Sequence, residues 1–119
     1  MGSKATEDRK IMLDVLKYLK KNDLYFFDSL TSPRSVCSEI ASELGVRCAK
    51  RDRFLDNDNN QEAIEKQLAS LRKLALARGR AIAICHDRKN TVAALAKMMP
   101  EMSKDGIEFV YLSEMLDQR

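Results

Sequence analysis

The only histidine of the chain, His86, stands at the end of a short apolar run, residues 81–85. Imidazole is the side chain best suited to proton transfer near neutral pH. In parallel α/β proteins, catalytic side chains are commonly presented in the loop that follows a buried strand. The position of His86 therefore fits a catalytic group, and it fits equally well an ordinary polar side chain at an exposed strand end.

Polar side chains also follow the other strands that the sequence predicts. Because the carboxyl ends of parallel strands meet at one edge of a sheet, these side chains are expected to lie near His86. They are Asp28 and Ser29, then Arg51, Asp52 and Asp56, then Asp87, and finally Ser113 and Glu114. The pattern predicts a polar cleft lined by acids, a histidine and an arginine. Solvent exposure of strand ends, without any function, explains the same pattern.

The three cysteines, Cys37, Cys48 and Cys85, have neither the spacing of a disulfide framework nor that of a metal knuckle. Cys85 cannot form a thiolate–imidazole pair with its neighbour His86, because adjacent residues of a strand point to opposite faces. Buried free thiols in a reducing compartment are the simpler interpretation. A cysteine enzyme based on Cys37 or Cys48 is a further alternative.

Residues 56–60 (DNDNN) look like the start of a calcium-binding loop. The glycine and the acidic residue that such a loop requires are replaced by Gln61 and Gln67. Capping of the next helix explains the stretch instead. No glycine-rich phosphate loop is present, and one histidine without clustered thiols does not make a transition-metal site. The sequence therefore predicts no metal and no cofactor held by this chain alone.

The length of 119 residues suits one globular domain over residues 1–119 with one core. The net charge of +3 is small, basic and acidic residues are interleaved, and tryptophan is absent, so nucleic-acid binding is not expected. No apolar stretch is long enough to span a membrane, and no signal peptide is recognised. The compartment is left open.

Helical and strand patterns alternate along the chain. Apolar periodicity predicts helices over residues 6–21, 32–44, 61–78, 89–99 and from 113 onward, and strands over residues 24–28, 46–49, 81–85 and 107–112. Thr6 and Ser32-Pro33 are the predicted helix starts, Gly45 and Pro100 are predicted ends, and Val92 is a predicted core residue. The alternation predicts an α/β fold with a parallel sheet of about four strands.

Four stretches, taken in order, resemble the divergent polysaccharide deacetylase family. They are residues 1–6 (MGSKAT), residues 26–29 (FFDS) with Thr31 and Ser32, residues 51–57 (RDRFLDN) and residues 81–86 (AIAICH). Their spacing matches as well, so the resemblance extends over essentially the whole chain. It implies a distorted (β/α) barrel of about seven strands, of which this chain resembles the C-terminal portion. It also implies a location outside the cytoplasm.

Polysaccharide deacetylases use a metal-bound water to attack an acetyl carbonyl while a histidine protonates the leaving group. The resemblance implies His86 as the general acid, acetylated carbohydrate as the substrate, and a divalent metal such as zinc in a full-length member. Implied catalytic carboxylates are Asp28 and Asp52, and implied substrate-contacting residues are Arg51, Asp56 and Ser29. The family's metal ligands are not among the matched residues, so the isolated chain is predicted to be catalytically incomplete.

Two departures from the family pattern flank His86. The family usually has glycine before this histidine and proline after it, where this chain has Cys85 and Asp87. A side chain at the first of these places narrows the approach to the site. The alternative function is a non-catalytic binding or interaction module that uses the polar cleft. An open parallel sheet also exposes an edge, which predicts self-association.

Overall fold

The computed structural model describes residues 2–116 of the chain. Helices and short parallel strands alternate over this part, so the predicted α/β class is confirmed. The helices are α1 (Ser3–Thr6), α2 (Arg9–Lys21), α3 (Cys37–Leu44), α4 (Gln61–Arg78), α5 (Lys89–Lys104) and α6 (Leu112–Leu116); the strands are β1 (Phe26–Asp28), β2 (Cys48–Lys50), β3 (Arg53–Phe54) and β4 (Ala83–Ile84). Among residues 2–116, no helix is both long enough and apolar enough to cross a bilayer.

The chain divides into two compact units. Unit 1 contains the described residues up to Lys50 together with those from Tyr111 onward, and unit 2 is Arg51–Val110. The expectation of one domain over residues 1–119 stays a prediction. Each unit contains one β-α-β segment with parallel strands, which is the arrangement that a helical crossover produces.

Unit 1 is built on the pairing of β1 with β2, in which Phe26 lies opposite Cys48 and Asp28 lies opposite Lys50. Helices α2 and α3 cover this pair with their apolar faces, which is why both sequences carry apolar residues at helical spacing. The buried residues of the core of unit 1 are Met12, Leu16, Cys37, Ile40, Ala41 and Val46.

Unit 2 is built on the pairing of β3 with β4, in which Arg53 lies opposite Ala83 and Phe54 lies opposite Ile84. The long helix α4 connects the two strands, and α5 follows β4. The buried residues of the core of unit 2 are Leu55, Ile64, Leu68 and Ala94.

The predicted four-stranded sheet differs from the observed one. Within residues 2–116 the strands form two separate pairs, β1 with β2 and β3 with β4. The predicted strand over residues 107–112 is wrong: residues 107–111 have no regular structure and α6 begins at Leu112. A strand exists only where its backbone is paired, and these apolar residues lack such pairing here. Conversely, β3 lies between the predicted strand over residues 46–49 and the predicted helix over residues 61–78, where no strand was predicted.

Two helix starts were predicted too early. Helix α2 begins at Arg9 because Asp8, not Thr6, caps it: the Asp8 carboxylate accepts hydrogen bonds from the backbone N–H groups of Lys10 and Ile11 at 3.0 and 3.1 Å. Helix α3 begins at Cys37, because the Ser32 hydroxyl donates to the Glu7 carboxylate instead of opening a helix.

The helix ends were predicted with mixed success. Helix α4 has the predicted bounds, and Gly45 and Gly79 adopt the left-handed φ values of +72° and +86° at the ends of α3 and α4. Helix α5 was predicted to stop before Pro100, but it continues to Lys104. Met102 is 2% exposed, and burial of this side chain offsets the hydrogen bond that proline removes.

The buried face of α5 also differs from the prediction. Val92 was expected in the core, yet 55% of it is exposed, whereas Thr91 and Ala94 are fully buried. The helix is therefore turned by one residue relative to the apolar pattern. The reason lies in the hydrogen bond that Thr91 makes at the end of β3, which belongs to the candidate site.

Candidate active site at the end of β3 and β4

The register of β3 and β4 brings Asp56 and His86 together. Phe54 lies opposite Ile84, and the Leu55 N–H donates to the Ile84 carbonyl at 2.9 Å. Asp56 and His86 each follow this registered pair by the same number of residues. Because the strands are parallel, the chain leaves both at the same edge, and the two side chains meet there.

The Asp56 carboxylate is completely buried and binds His86 through both of its oxygens. Oδ1 lies 2.8 Å from His86 Nδ1, and Oδ2 accepts the backbone N–H of His86 at 2.7 Å. Oδ2 also accepts the hydroxyl of Thr91 at 2.6 Å. The buried carboxylate is thus satisfied by three protein donors, as a group without access to water requires.

Opposing effects act on the ionisation of Asp56. Burial raises the pKa of this carboxyl, whereas the hydrogen bonds from Thr91 and His86 lower it by more, so the net pKa lies below its ordinary value of 3.8. Thr91 is in the first turn of α5, and the partial positive charge of a helix N-terminus also favours a carboxylate. Asp56 is therefore ionised throughout the neutral range.

The imidazole of His86 is held on one side and open on the other. An ionised carboxylate only accepts hydrogen bonds, so Nδ1 carries a proton and Nε2 is the acceptor nitrogen of the neutral ring. The side chain is 49% exposed. The Phe54 ring lies 5.4 Å from the imidazole, centroid to centroid, and the guanidinium carbon of Arg51 lies 5.5 Å from the Phe54 centroid. The site thus combines an oriented imidazole with an aromatic and a cationic neighbour.

Thr91 and Arg88 are site residues that the sequence did not predict. The Arg88 guanidinium donates through Nη1 to the backbone carbonyl of Asp56 at 2.7 Å. Both residues lie at the start of α5, directly after His86. In α/β proteins, the helix that follows a strand begins near the carboxyl end of that strand. This rule could have placed both residues near the site, but their residue types alone could not.

Asp52 lies at the opposite end of the strand pair from His86. Its carboxylate accepts the Ile82 N–H at 2.8 Å and its own N–H donates to the Ile82 carbonyl at 2.7 Å. Arg78 adds a contact at 3.4 Å. These bonds hold the start of β4 beside the start of β3, so the geometry gives Asp52 a structural task. Its predicted catalytic role stays a prediction.

Asp28 and Ser29 belong to unit 1. Asp28 is 3% exposed, and its carboxylate accepts the Leu30 N–H at 2.9 Å and the Ser35 hydroxyl at 2.6 Å. Ser29 is half-buried in the same loop. Of the six predicted site residues, unit 2 brings Asp56, His86 and Arg51 together through Phe54. The predicted roles of Asp28 and Ser29 stay predictions.

A metal site is not formed by the part of the chain that the structure describes. Within residues 2–116, no three His, Cys, Asp or Glu side chains are grouped closely enough to hold an ion. Both oxygens of Asp56 are already engaged by protein donors. The described residues therefore do not fit the metal that the family resemblance implies.

The thiols are not activated nucleophiles. Burial raises the pKa of Cys48 to about 11 and also raises the pKa of Cys37. The expectation of buried thiols is wrong for Cys85, which is exposed; partial desolvation and the nearby Asp56 charge raise its pKa. A protonated thiol is a poor nucleophile, so the thiol chemistry of all three residues is weak at neutral pH. This argues against the alternative of a cysteine enzyme.

The chain belongs to the divergent polysaccharide deacetylase family, whose model matches residues 1–116. The resemblance noted in the sequence is thereby confirmed.

Relatives of the chain are longer than the chain itself. It is 38% identical over 105 residues to an uncharacterized protein of Haemophilus influenzae, covering 88% of this chain and 38% of the relative. It is 35% identical to the uncharacterized protein YibQ of Escherichia coli, covering 99% of this chain and 37% of YibQ. The chain therefore spans little more than a third of the length of these relatives.

A solved structure has the same fold. The crystal structure of an uncharacterized protein from Agrobacterium tumefaciens C58 superposes with a TM-score of 0.92 at 25% identity. The match covers 97% of this chain and 47% of that one. The arrangement of helices and strand pairs described above is thus one that a chain about twice as long also contains.

Proposed function

We propose that this chain carries the proton-transfer residues of a deacetylase-type hydrolase that acts on acetylated carbohydrate. One observation carries the proposal: the exposed imidazole of His86 is oriented by the fully buried carboxylate of Asp56 at 2.8 Å. A histidine with one nitrogen fixed and the other facing outward is the usual form of a general acid–base residue. Family membership supplies the reaction class.

The chemistry requires a proton at the leaving group. When the bond between the acetyl carbon and a sugar nitrogen or oxygen breaks, the departing atom must be protonated. Protonated His86 would donate from Nε2, the ring nitrogen that Asp56 does not bind. The ionised Asp56 carboxylate stabilises the imidazolium and keeps Nδ1 pointing inward. Phe54 limits rotation of the ring by packing against it.

The proposal differs from the sequence-based assignment in the role of Asp56. Asp56 was predicted to contact substrate, but its oxygens face Thr91 and His86, which supports an orienting role. Arg51, packed over Phe54, keeps its proposed contact with the glycan. No metal ligand is assigned within residues 2–116. The divalent metal implied by the family, such as zinc, would be held by other parts of a longer family member.

Binding of the substrate class can be tested on the chain itself. His86 is the single histidine, so its ring signals in an NMR spectrum are identified without ambiguity. Titration with an N-acetylated oligosaccharide should shift these signals, and the de-acetylated oligosaccharide should shift them much less. Equal shifts with both, or none with either, would contradict recognition of the acetyl group at this site.

Turnover needs a longer protein. We expect the isolated chain to release no acetate from an acetylated glycan. Robust release would contradict the prediction that the chain is catalytically incomplete. The sharper test replaces the matched segment of the Agrobacterium tumefaciens protein with this chain and measures acetate release from an acetylated glycan. His86→Ala should abolish release while the circular-dichroism spectrum is kept. Unchanged release in this variant would remove His86 from the mechanism.

The second candidate function is that of an interaction module. Ile11, Val15 and Tyr18 lie on one flank of α2 and are 45%, 38% and 64% exposed. Their spacing makes a continuous apolar stripe beside the core-facing residues of the helix. Such a stripe costs free energy in water, which supports an interaction surface there.

The occupant that we propose for this stripe is a second copy of the chain. A two-fold axis would place the exposed apolar side chains of α2 in one copy against those of the other, since such an interface uses the same surface on both subunits. The charges at the N-terminal end of α2 do not select an orientation, because Glu7 and Asp8 are followed there by Arg9 and Lys10. The proposed self-association therefore uses the α2 stripe, where the sequence predicted an open sheet edge.

Sedimentation equilibrium tests this interface. Val15→Asp should weaken dimer formation by about tenfold or more, because it places a charge in an apolar contact. The matched control is Val92→Asp in α5, since Val92 is also exposed and helical but lies outside the stripe. A monomer at millimolar concentration, or equal weakening in both variants, would rule out the dimer on α2.

A further inference from the structure

We infer that Thr91 is a positioning residue that determines which nitrogen of His86 carries the proton. The inference deepens the proposed function, because a general acid that donates from Nε2 needs Nδ1 to remain the nitrogen bound to Asp56. No metal, ligand or predicted motif points to Thr91. It is identified by its burial and by a single hydrogen bond.

Thr91 occupies one carboxylate oxygen and so leaves the other to the imidazole. Its hydroxyl donates to Asp56 Oδ2 at 2.6 Å, and the same oxygen accepts the His86 N–H at 2.7 Å. Oδ2 is therefore occupied by two donors, while Oδ1 faces His86 Nδ1 at 2.8 Å. Two donors on one oxygen fix the rotation of the carboxylate about its Cβ–Cγ bond, since rotation would break both bonds.

The fixed carboxylate selects the tautomer of the ring. With Oδ1 held in front of Nδ1, the neutral imidazole gains a charge-assisted hydrogen bond only when Nδ1 carries the proton. Without the Thr91 hydroxyl, Oδ2 keeps one donor and the carboxylate can turn. The neutral ring then loses part of its preference for the tautomer with the proton on Nδ1, and the tautomer with the proton on Nε2 becomes more populated.

A purely structural role for Thr91 predicts something different. Thr91 is completely buried, so its methyl group also contributes to packing. If packing were its only task, Thr91→Val would leave the tautomer of His86 unchanged, because valine has the same shape. Thr91→Ser would be the more harmful change, since it removes the methyl group and keeps the hydroxyl.

Nitrogen-15 NMR of the imidazole distinguishes the two roles. The two tautomers have different Nδ1 and Nε2 chemical shifts, and the single histidine gives one ring to follow. In the unmodified chain with the ring neutral, the proton should reside on Nδ1. Thr91→Val should lower the ratio of the Nδ1–H to the Nε2–H tautomer by about tenfold, as expected for one lost hydrogen bond to a charged group. Thr91→Ser should restore the ratio.

Two further variants define the range over which the tautomer ratio of His86 can change. Asp56→Asn should move the proton to Nε2, because an amide NH2 facing Nδ1 turns that nitrogen into an acceptor. Thr31→Val is the matched control, since Thr31 is exposed in unit 1 and the same substitution there should leave the ratio unchanged. These measurements need no turnover, so the inference about Thr91 survives or fails independently of deacetylase activity.

The inference is overturned if the tautomer ratio in Thr91→Val equals that of the unmodified chain, or if Thr91→Ser fails to restore it. Should Thr91→Val not fold, the unmodified chain decides. Its Thr91 hydroxyl proton should then appear as a separate NMR signal that exchanges slowly with water, as a buried donor to a carboxylate must. A Thr91 hydroxyl proton in fast exchange would contradict the bond to Asp56.

Discussion

Asp28 in unit 1 and Asp56 in unit 2 are two buried carboxylates with nearly the same surroundings. Each stands at the end of a parallel strand pair, and each accepts one backbone N–H and one hydroxyl, with both hydroxyl distances at 2.6 Å. Asp56 differs by the imidazole of His86, the one histidine of the chain. A buried aspartate at a strand end is therefore not by itself a functional signal, and the titratable partner makes the difference.

The distribution of donors over the two oxygens also differs. Asp28 receives Leu30 on Oδ1 and Ser35 on Oδ2, one donor on each oxygen. Asp56 receives two donors on Oδ2 and the ring on Oδ1. The Asp56 carboxylate thus accepts three hydrogen bonds, whereas the Asp28 carboxylate accepts these two. Because hydrogen bonds to a charged group are stronger than neutral ones, the two sites should respond unequally to the same substitution.

The largest expected effect follows from this inequality. Asp56→Asn should lower the free energy of unfolding by about 2 kcal/mol, because it replaces charge-assisted hydrogen bonds in a buried site. Asp28→Asn should cost about 1 kcal/mol, since the Ser35 hydroxyl can turn and accept from the new amide. Urea unfolding followed by circular dichroism measures both. Equal losses of unfolding free energy in the two variants would show that the hydrogen bond to the His86 imidazole does not stabilise the fold.

The acid stability of the chain sharpens the same comparison. The folded-state pKa of Asp56 is lowered, so its contribution to stability is complete above the unfolded value of 3.8 and is lost as the pH falls through the folded value. Glu7 in unit 1 titrates in the same direction, because hydrogen bonds from Ser32 and Arg34 lower its pKa. Asp56→Asn should therefore flatten the decline of stability below pH 4 only in part. A decline identical to that of the unmodified chain would contradict the lowered pKa of Asp56.

A smaller effect is expected at the described residues with positive φ values, which are glycines in unit 2, whereas unit 1 has Gly45 and also two residues that are not glycine. In unit 2, Gly79 and Gly106 have positive φ values of +86° and +91°. Gly79→Ala should cost about 1 kcal/mol, because alanine is strained in the left-handed region. A Cβ at Gly79 would meet no atom within 4 Å, so the loss would report backbone strain alone. An unchanged midpoint of urea unfolding would show that the backbone at the end of α4 accommodates alanine without strain.

The smallest expected effect is a gain in unit 1. There the residues with positive φ include Asp23 at +53° and Leu30 at +56°, both on the loops that border β1. Asp23→Gly should stabilise the chain by about 0.5 kcal/mol, since glycine adopts this conformation without strain and loses only an exposed contact with Arg47. Destabilisation of more than about 0.5 kcal/mol would assign the Asp23 side chain a larger role than its exposure suggests.

Much of the candidate site could be predicted, and one part could not. His86 was recognised from its residue type and from the apolar run before it, and Asp56 was included among the residues after strands. The roles of the acids were less well predicted, because a sequence does not show toward which end of a strand a carboxylate points. Asp52 and Asp56 are close in sequence, yet they lie at opposite ends of β3.

The sequence by itself determined the alternation of helices with strands, the bounds of α4, the glycines that end α3 and α4, and the family. These features depend on local backbone preferences, on helical periodicity and on short motifs. Only the tertiary structure decided that Thr91, not Val92, faces the core, and that the carboxylate beside His86 is Asp56. The physical reason is that a buried hydrogen bond between residues far apart in sequence outweighs the apolar pattern of a single helix.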